Sequence, residues 1–256
     1  MNTTAPSLRH ITPPASILLV AAGGAWVGVV VVARHMGPMP GTMGLGIGTF
    51  VVVWVLMMAA MMLPSMTPFA SIYTRSFGER RAVRTAAFAA GYLIVWGFAA
   101  VPAYALAWSA DRLIGTHPSG ATALAVVIFT ACGVYQLTPL KDRCLAHCRS
   151  PIGLVLKLGS FQGRTRDLRA GLYHGAFCLA CCWGLMALLI AFGLMNLAAM
   201  LLLAAVVVGE KVLPWGAGFS RALGVAALIL AVVVVFDPGM APGLHPAVTA
   251  GHMGSM

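Results

Sequence analysis

Residues 171–186 read GLYHGAFCLACCWGLM, a histidine and three cysteines inside a stretch otherwise apolar enough to cross a bilayer. Polar and metal-binding groups are costly in hydrocarbon and rarely sit there without a task. On a helix, Cys178, Cys181 and Cys182 follow His174 at i+4, i+7 and i+8, so one face carries a nitrogen and up to three sulfurs. Such a ridge suits a soft metal or a redox dithiol.

Two further segments carry soft donors. VVVWVLMMAAMMLPSM stacks Met57 on Met61 and Met58 on Met62 at i, i+4, with Pro64 expected to close the helix and Met66 just beyond it. The bland alternative is that methionine is a flexible filler of apolar gaps. YQLTPLKDRCLAHCRSP, read as loop, holds Cys144, His147 and Cys148 at metal-ligand spacing. Small loop cysteines and a solvated histidine would account for it equally, because a closed zinc site needs four ligands. Cys132 reads as a packed small residue. On the other side, ARHMGPMPGTMG supplies His35, Met36, Met39 and Met43, in a segment too broken for packing, and the tail adds Met240, His245, His252 and Met253. Thioether and imidazole in an outer loop suit weak copper capture, or they are ordinary loop residues.

The elements that must position these groups are membrane helices. Sixty per cent of residues are hydrophobic and 9% charged, far from the roughly one quarter charged of soluble domains. Seven apolar runs stand out, about 15–33, 47–63, 85–108, 119–137, 171–191, 195–209 and 219–236. The sixth is short for a span and follows a tight turn at Gly193 and Asn196. Runs this continuous mean helices, so the expected fold is an all-α polytopic transmembrane bundle of about seven spans. Pro102 is expected to kink the third helix.

With seven spans, fourteen of the sixteen lysines and arginines fall on one side, leaving Arg34 and Arg112 opposite. The positive-inside rule then puts the N-terminus in the cytoplasm and the C-terminus outside a bacterial inner membrane. Orientation accounts for the net charge of +10, so nucleic acid is not an expected partner. The first apolar run is too long for a signal peptide and reads as a retained helix. We read 1–256 as one integral membrane domain, with a larger cytoplasmic loop at 138–170 and a flexible outer tail at 237–256. Within that loop, PIGLVLKLGSFQGR suits an amphipathic piece on the membrane surface.

This topology brings the donors to one depth. The second helix descends to the cytoplasm and the fifth rises from it, so Met57–Met66 and His174–Cys182 lie within ~5–18 Å of the same face. The expectation is that they face one another. Sulfur ligands select Cu(I) over hard ions, and thiolate is the binding form. The six carboxylates (Glu79, Asp111, Asp142, Asp167, Glu210 and Asp237) are too few and scattered for a hydrolytic or di-iron centre. Glu210 reads as an interfacial ion pair with Lys211. No catalytic residue is assigned.

The chain resembles a bacterial family of predicted metal-binding integral membrane proteins whose function is unassigned. The resemblance rests on Trp54-x2-Met57-Met58-Ala59-Ala60-Met61-Met62-x-Pro64, on Tyr135-Gln136-x2-Pro139-x-Lys141-x2-Cys144-x3-Cys148-x2-Pro151, and on Gly171-x2-His174-Gly175-x2-Cys178-x2-Cys181-Cys182-Trp183-x2-Met186. It covers roughly residues 50–212 and implies metal binding by these sulfur and histidine residues. It supplies no reaction.

The leading expectation is a copper(I)-binding inner-membrane protein that transports or delivers the metal through Met, Cys and His ligands. Without a Walker A segment it would not use ATP. A metal-donor or acceptor protein and membrane lipid are the expected partners. One alternative is a membrane thiol–disulfide oxidoreductase using Cys178-x2-Cys181, with Cys144 and Cys148 as relay. It lacks the βαβ context of such motifs and would sit on the reducing side. The other is a structural or assembly subunit with packed cysteines. Haem, which takes axial His or Met, stays open at His174 with a facing methionine.

Overall fold

A backbone in lipid must satisfy its own hydrogen bonds, and long apolar runs do so by coiling. The computed structural model describes residues 13–36, 39–75, 81–150, 161 and 163–245. They form α1 (Pro13–Met36), α2 (Ile47–Arg75), α3 (Arg81–Thr116), α4 (Pro118–Gln136), α5 (Pro139–Arg149), α6 (Arg166–Phe192), α7 (Leu197–Val212) and α8 (Gly216–Phe236), then a 3₁₀ turn at Pro238–Met240. No strand occurs among the described residues, and the fold is an all-α helical bundle. Arg9, Glu79, Lys157, His252, Met253 and the surface-helix expectation for 151–160 lie outside the described residues.

Among the described residues, six helices are long and apolar enough to cross a membrane: all but α5 and α7. This is a multi-pass membrane protein. The sixth apolar run is α7, whose 16 residues reach only about 24 Å at 1.5 Å each. It starts from a hairpin in which Gly193 takes φ +95° and the Asn196 side chain accepts from Ala199 N at 3.1 Å.

Two expectations are corrected. Pro64 does not close α2, which runs through Pro64 and Pro68 to Arg75. In lipid an uncoiled backbone would be left unbonded, so the segment stays helical past both prolines; beside them Ser65 Oγ donates to Met62 O at 2.8 Å and Thr67 Oγ1 to Leu63 O at 3.0 Å. The segment carrying Cys144 and Cys148 is not loop but the helix α5. Thr138 caps it by accepting from Lys141 N at 3.2 Å, and Pro139 sits at its first position. Pro102 lies inside an unbroken α3.

The bundle is built around α2 and α6. Of their spanning windows 56% and 61% are buried, against 28–39% in the other spans. The closest helix crossing joins α3 to α6. A Cβ on Gly171 would stand 2.0 Å from Phe88 O, and one on Gly91 2.2 Å from Leu168 O. Only glycine on both sides lets these backbones touch, the small-residue device of membrane helix pairs.

Connections gather at two ends. At one, Arg84 pairs with Asp167 at 2.9 Å and Arg221 with Asp142 at 2.8 Å, joining α3 to α6 and α8 to α5. At the other, Asp111 accepts from Thr42 N at 2.9 Å and Thr42 Oγ1 at 2.6 Å. Thr122 Oγ1 meets His245 Nε2 there at 3.1 Å, and Gly243 N donates to Ala191 O at 2.9 Å. Ala241 and Leu244 are buried, so the described part of the tail, 237–245, is packed down.

Candidate metal centre

On α6 the helical spacing delivers one ridge. His174, Cys178, Cys181 and Cys182 are all buried. Cys178 Sγ lies 3.8 Å from Cys182 Sγ, whose thiol donates to the Cys178 carbonyl at 2.8 Å. α5 brings a fourth sulfur: Cys148 Sγ is 3.9 Å from Cys181 Sγ. Contact with the Cys181 sulfur, then burial, pushes the Cys148 thiol well above its ordinary range. His174 lies flat on Phe69 of α2, and its Nδ1 is buried with no hydrogen-bond partner among the described residues. A cavity of about 220 Å³ opens here between Ser65, Phe69, Cys148, Arg149, His174 and Lys211.

Among the described residues, no three His, Cys, Asp or Glu side chains converge in a way that could hold a metal ion. The sulfurs stand in pairs instead, and part of their bonding capacity is spent elsewhere. Cys178 Sγ meets Tyr92 Oη at 2.9 Å and accepts from Lys211 Nζ at 3.0 Å.

Met57, Met58, Met61, Met62 and Met66 are all buried in the core of the bundle. The contact of α2 with the thiol ridge is made by Ser65, three residues after Met62, and by Phe69. Lys211 Nζ donates both to Ser65 Oγ and to Cys178 Sγ, each at 3.0 Å, so one ammonium ties α2 to α6.

Cys144 and His147 make other contacts. Cys144 is buried beside Tyr135, and burial raises its pKa. The Tyr135 hydroxyl donates to Ala180 O. His147 stacks on Phe177, centroids 3.8 Å apart, and lies edge-on to Tyr173. Cys132 is a buried packing residue against Gly184. In the Met/His loop, Met43 is buried rather than loose, at a positive φ of 59° that Asp111 helps hold, while Met39 stays exposed.

Several residues beside the ridge escape sequence reasoning. Glu210 does not pair with its neighbour Lys211. Its partner is Lys141 of α5 at 2.7 Å, both fully buried, with Gln136 Nε2 donating to the other oxygen at 2.6 Å. Lys141 also donates to the Cys181 carbonyl at 2.6 Å, fixing α5 against the ridge. Sequence neighbours on a helix point about 100° apart, so adjacency alone could not pair 210 with 211. The signal that could have found Lys141 is a lysine in the first turn of a capped, proline-started helix, where a cation is out of place.

A family model described as a copper chaperone, PpoB2, matches residues 51–234. The chain belongs to the PpoB2 copper chaperone family. The match spans α3 to α7 and takes in most of α2 and α8, so it contains both the thioether cluster and the thiol ridge. Membership in the PpoB2 family carries copper handling as its broad function. No curated protein and no solved structure matches the chain.

Proposed function

We propose that this protein binds Cu(I) within the bacterial inner membrane and passes it to a partner protein without using ATP. His174, Cys178, Cys181 and Cys182 form the receiving ridge, with Cys148 as the ligand nearest the exit. Met57, Met58, Met61 and Met62 line a thioether approach from deeper in the bundle. The observation carrying this reading is the sulfur spacing. Bonds of about 2.3 Å at the tetrahedral angle hold two sulfurs about 3.8 Å apart, close to the Cys178–Cys182 and Cys148–Cys181 separations. The Nδ1 of His174, buried and without a hydrogen-bond partner among the described residues, lines the same cavity as Cys148, and copper would draw it and the sulfurs together on binding.

The proposed orientation keeps α7 as a crossing. Its start shares a cavity of about 420 Å³ with Arg34, Met39 and Gly243, while its end meets α4 and α5 at Gln136 and Lys141. Counted as a seventh crossing, α7 would leave the N-terminus cytoplasmic and the C-terminus outside. The basic end, with the thiols, then faces the cytoplasm.

Loading purified protein with Cu(I) tests the proposal. Wild type should retain bound copper, and a Cys178/Cys181/Cys182 triple serine variant should lose most of it. Equal stoichiometry in the two would sink the reading. A Cys148–Cys181 disulfide that cycles in the native membrane would favour the oxidoreductase instead.

A further inference from the structure

The Met/His loop, at the end of the bundle far from the thiols, has no part in the proposed delivery, yet it holds a thioether that packing does not explain. Met39 is 41% exposed. Its backbone is nonetheless held: Met43 N donates to Pro40 O at 3.0 Å, and Asp111 accepts from both Thr42 N and Thr42 Oγ1. Met39 lines the cavity of about 420 Å³ at this end, and so does a second thioether, Met195 of the α6–α7 hairpin. Fixed main chain builds that cavity. The described tail folds back on the hairpin, with Gly243 N bonded to Ala191 O, and a side chain at Gly243 would run into Gly193. Among the described residues lining the cavity there is no carboxylate, and one is the cation Arg34. A hard metal ion held by charge would be refused there. A soft one bonds to neutral thioether sulfur, which has no proton to lose.

The geometry points to a second soft-metal site, formed by Met39 and Met195, that takes a monovalent ion such as Cu(I) at the end of the bundle opposite the thiol ridge. Its place in copper delivery rests on the reading that the ridge takes copper; its ability to bind does not. Two thioethers without a thiolate hold the ion less tightly than the ridge, which suits a site that must pass its cargo on. Buried thioethers continue inward from it. Met200 lies three residues into α7, Met186 six residues before the end of α6 and Met57 ten residues into α2, at depths of about 5, 9 and 15 Å from this end. The last of these opens the cluster that runs on to Met62.

The test uses the full chain in detergent and Ag(I) alone, a soft monovalent ion that stands in for Cu(I) without cycling under peroxide. Methionine oxidation by hydrogen peroxide is followed residue by residue by mass spectrometry. Ag(I) should slow sulfoxide formation at Met39 at least tenfold and leave Met240, also 41% exposed but outside the cavity, unchanged. No protection of Met39 would overturn the inference, and so would equal protection of both methionines, the mark of capture by any exposed thioether. Met195→Leu, close in volume, should cut the protection at Met39 to less than a third; full protection in that variant would remove Met195 from the site and defeat the proposal. In the Cys178/Cys181/Cys182 triple serine variant Met39 should still be protected, and loss of protection there would show that no separate site exists. Protection of Met39 in a protein whose ridge takes up no copper would uphold this site while the proposed function fails.

Discussion

Phe69 of α2 lies against His174 of α6 with ring centroids 4.5 Å apart and planes only 11° from parallel. This stack fixes the plane of the imidazole beside the thiols, with Tyr92 and Phe88 closing in at 5.8 and 5.9 Å. Aromatic pairs contribute about 0.5–1.5 kcal/mol beyond their burial. Phe69→Leu should therefore weaken Cu(I) binding by up to about tenfold in a chelator competition titration. Unchanged affinity would mean that the imidazole is oriented by something else.

The Lys141–Glu210 pair makes a stability prediction. Removing one partner of a buried ion pair strands the other charge and typically costs about 3–5 kcal/mol. Lys141→Met should lower the thermal unfolding midpoint in detergent markedly. A Lys141→Met/Glu210→Met double variant should recover much of the loss, since the cost lies in the orphaned charge. If the double variant is as unstable as the single, the pair contributes through more than mutual neutralisation.

The α3–α6 crossing gives a controlled comparison. Gly171→Ala drives a methyl into the Phe88 carbonyl, and overpacking of this kind costs about 1–3 kcal/mol. Gly23→Ala, in α1 with nothing within 4 Å of the added carbon, should be neutral or stabilising by up to about 1 kcal/mol through helix propensity. Thermal melts of the two variants side by side test the assignment of the crossing.

Cys148 is half-buried, and its thiol is held above the ordinary range by the Cys181 sulfur and by burial. A raised thiol pKa leaves little thiolate at neutral pH, so alkylation by iodoacetamide should be slow near pH 7. It should still be climbing past pH 9, where a free cysteine would level off. Bound Cu(I) should suppress the reaction across that range. Fast labelling at pH 7 would contradict the environment described here.

The sequence made the helices and the ridge readable because both depend on local period: apolar runs for the spans, and i, i+4, i+7, i+8 spacing for His174 and the three cysteines. Its errors came where non-local partners decide. Pro64 would normally end a helix, but a chain buried in a membrane bundle has no better way to bond its backbone than to stay coiled, and α2 runs on to Arg75. α5 is short and polar, so its helix shows only in the Thr138-Pro139 start, and its burial depends on Glu210 some seventy residues later. Lys211 and Glu210 looked like a pair because they are adjacent; their true partners come from α2, α5 and α6.

The glycine contact between α3 and α6 leaves the ridge with one rigid flank, since backbone pressed on backbone has no slack to give. α2 instead approaches α6 through side chains, Phe69 and the Ser65–Lys211 bridge. More space among the sulfurs would therefore come from the helices that carry or touch them by side chains, α2, α5 and α7, while α3 holds the cysteine helix in place.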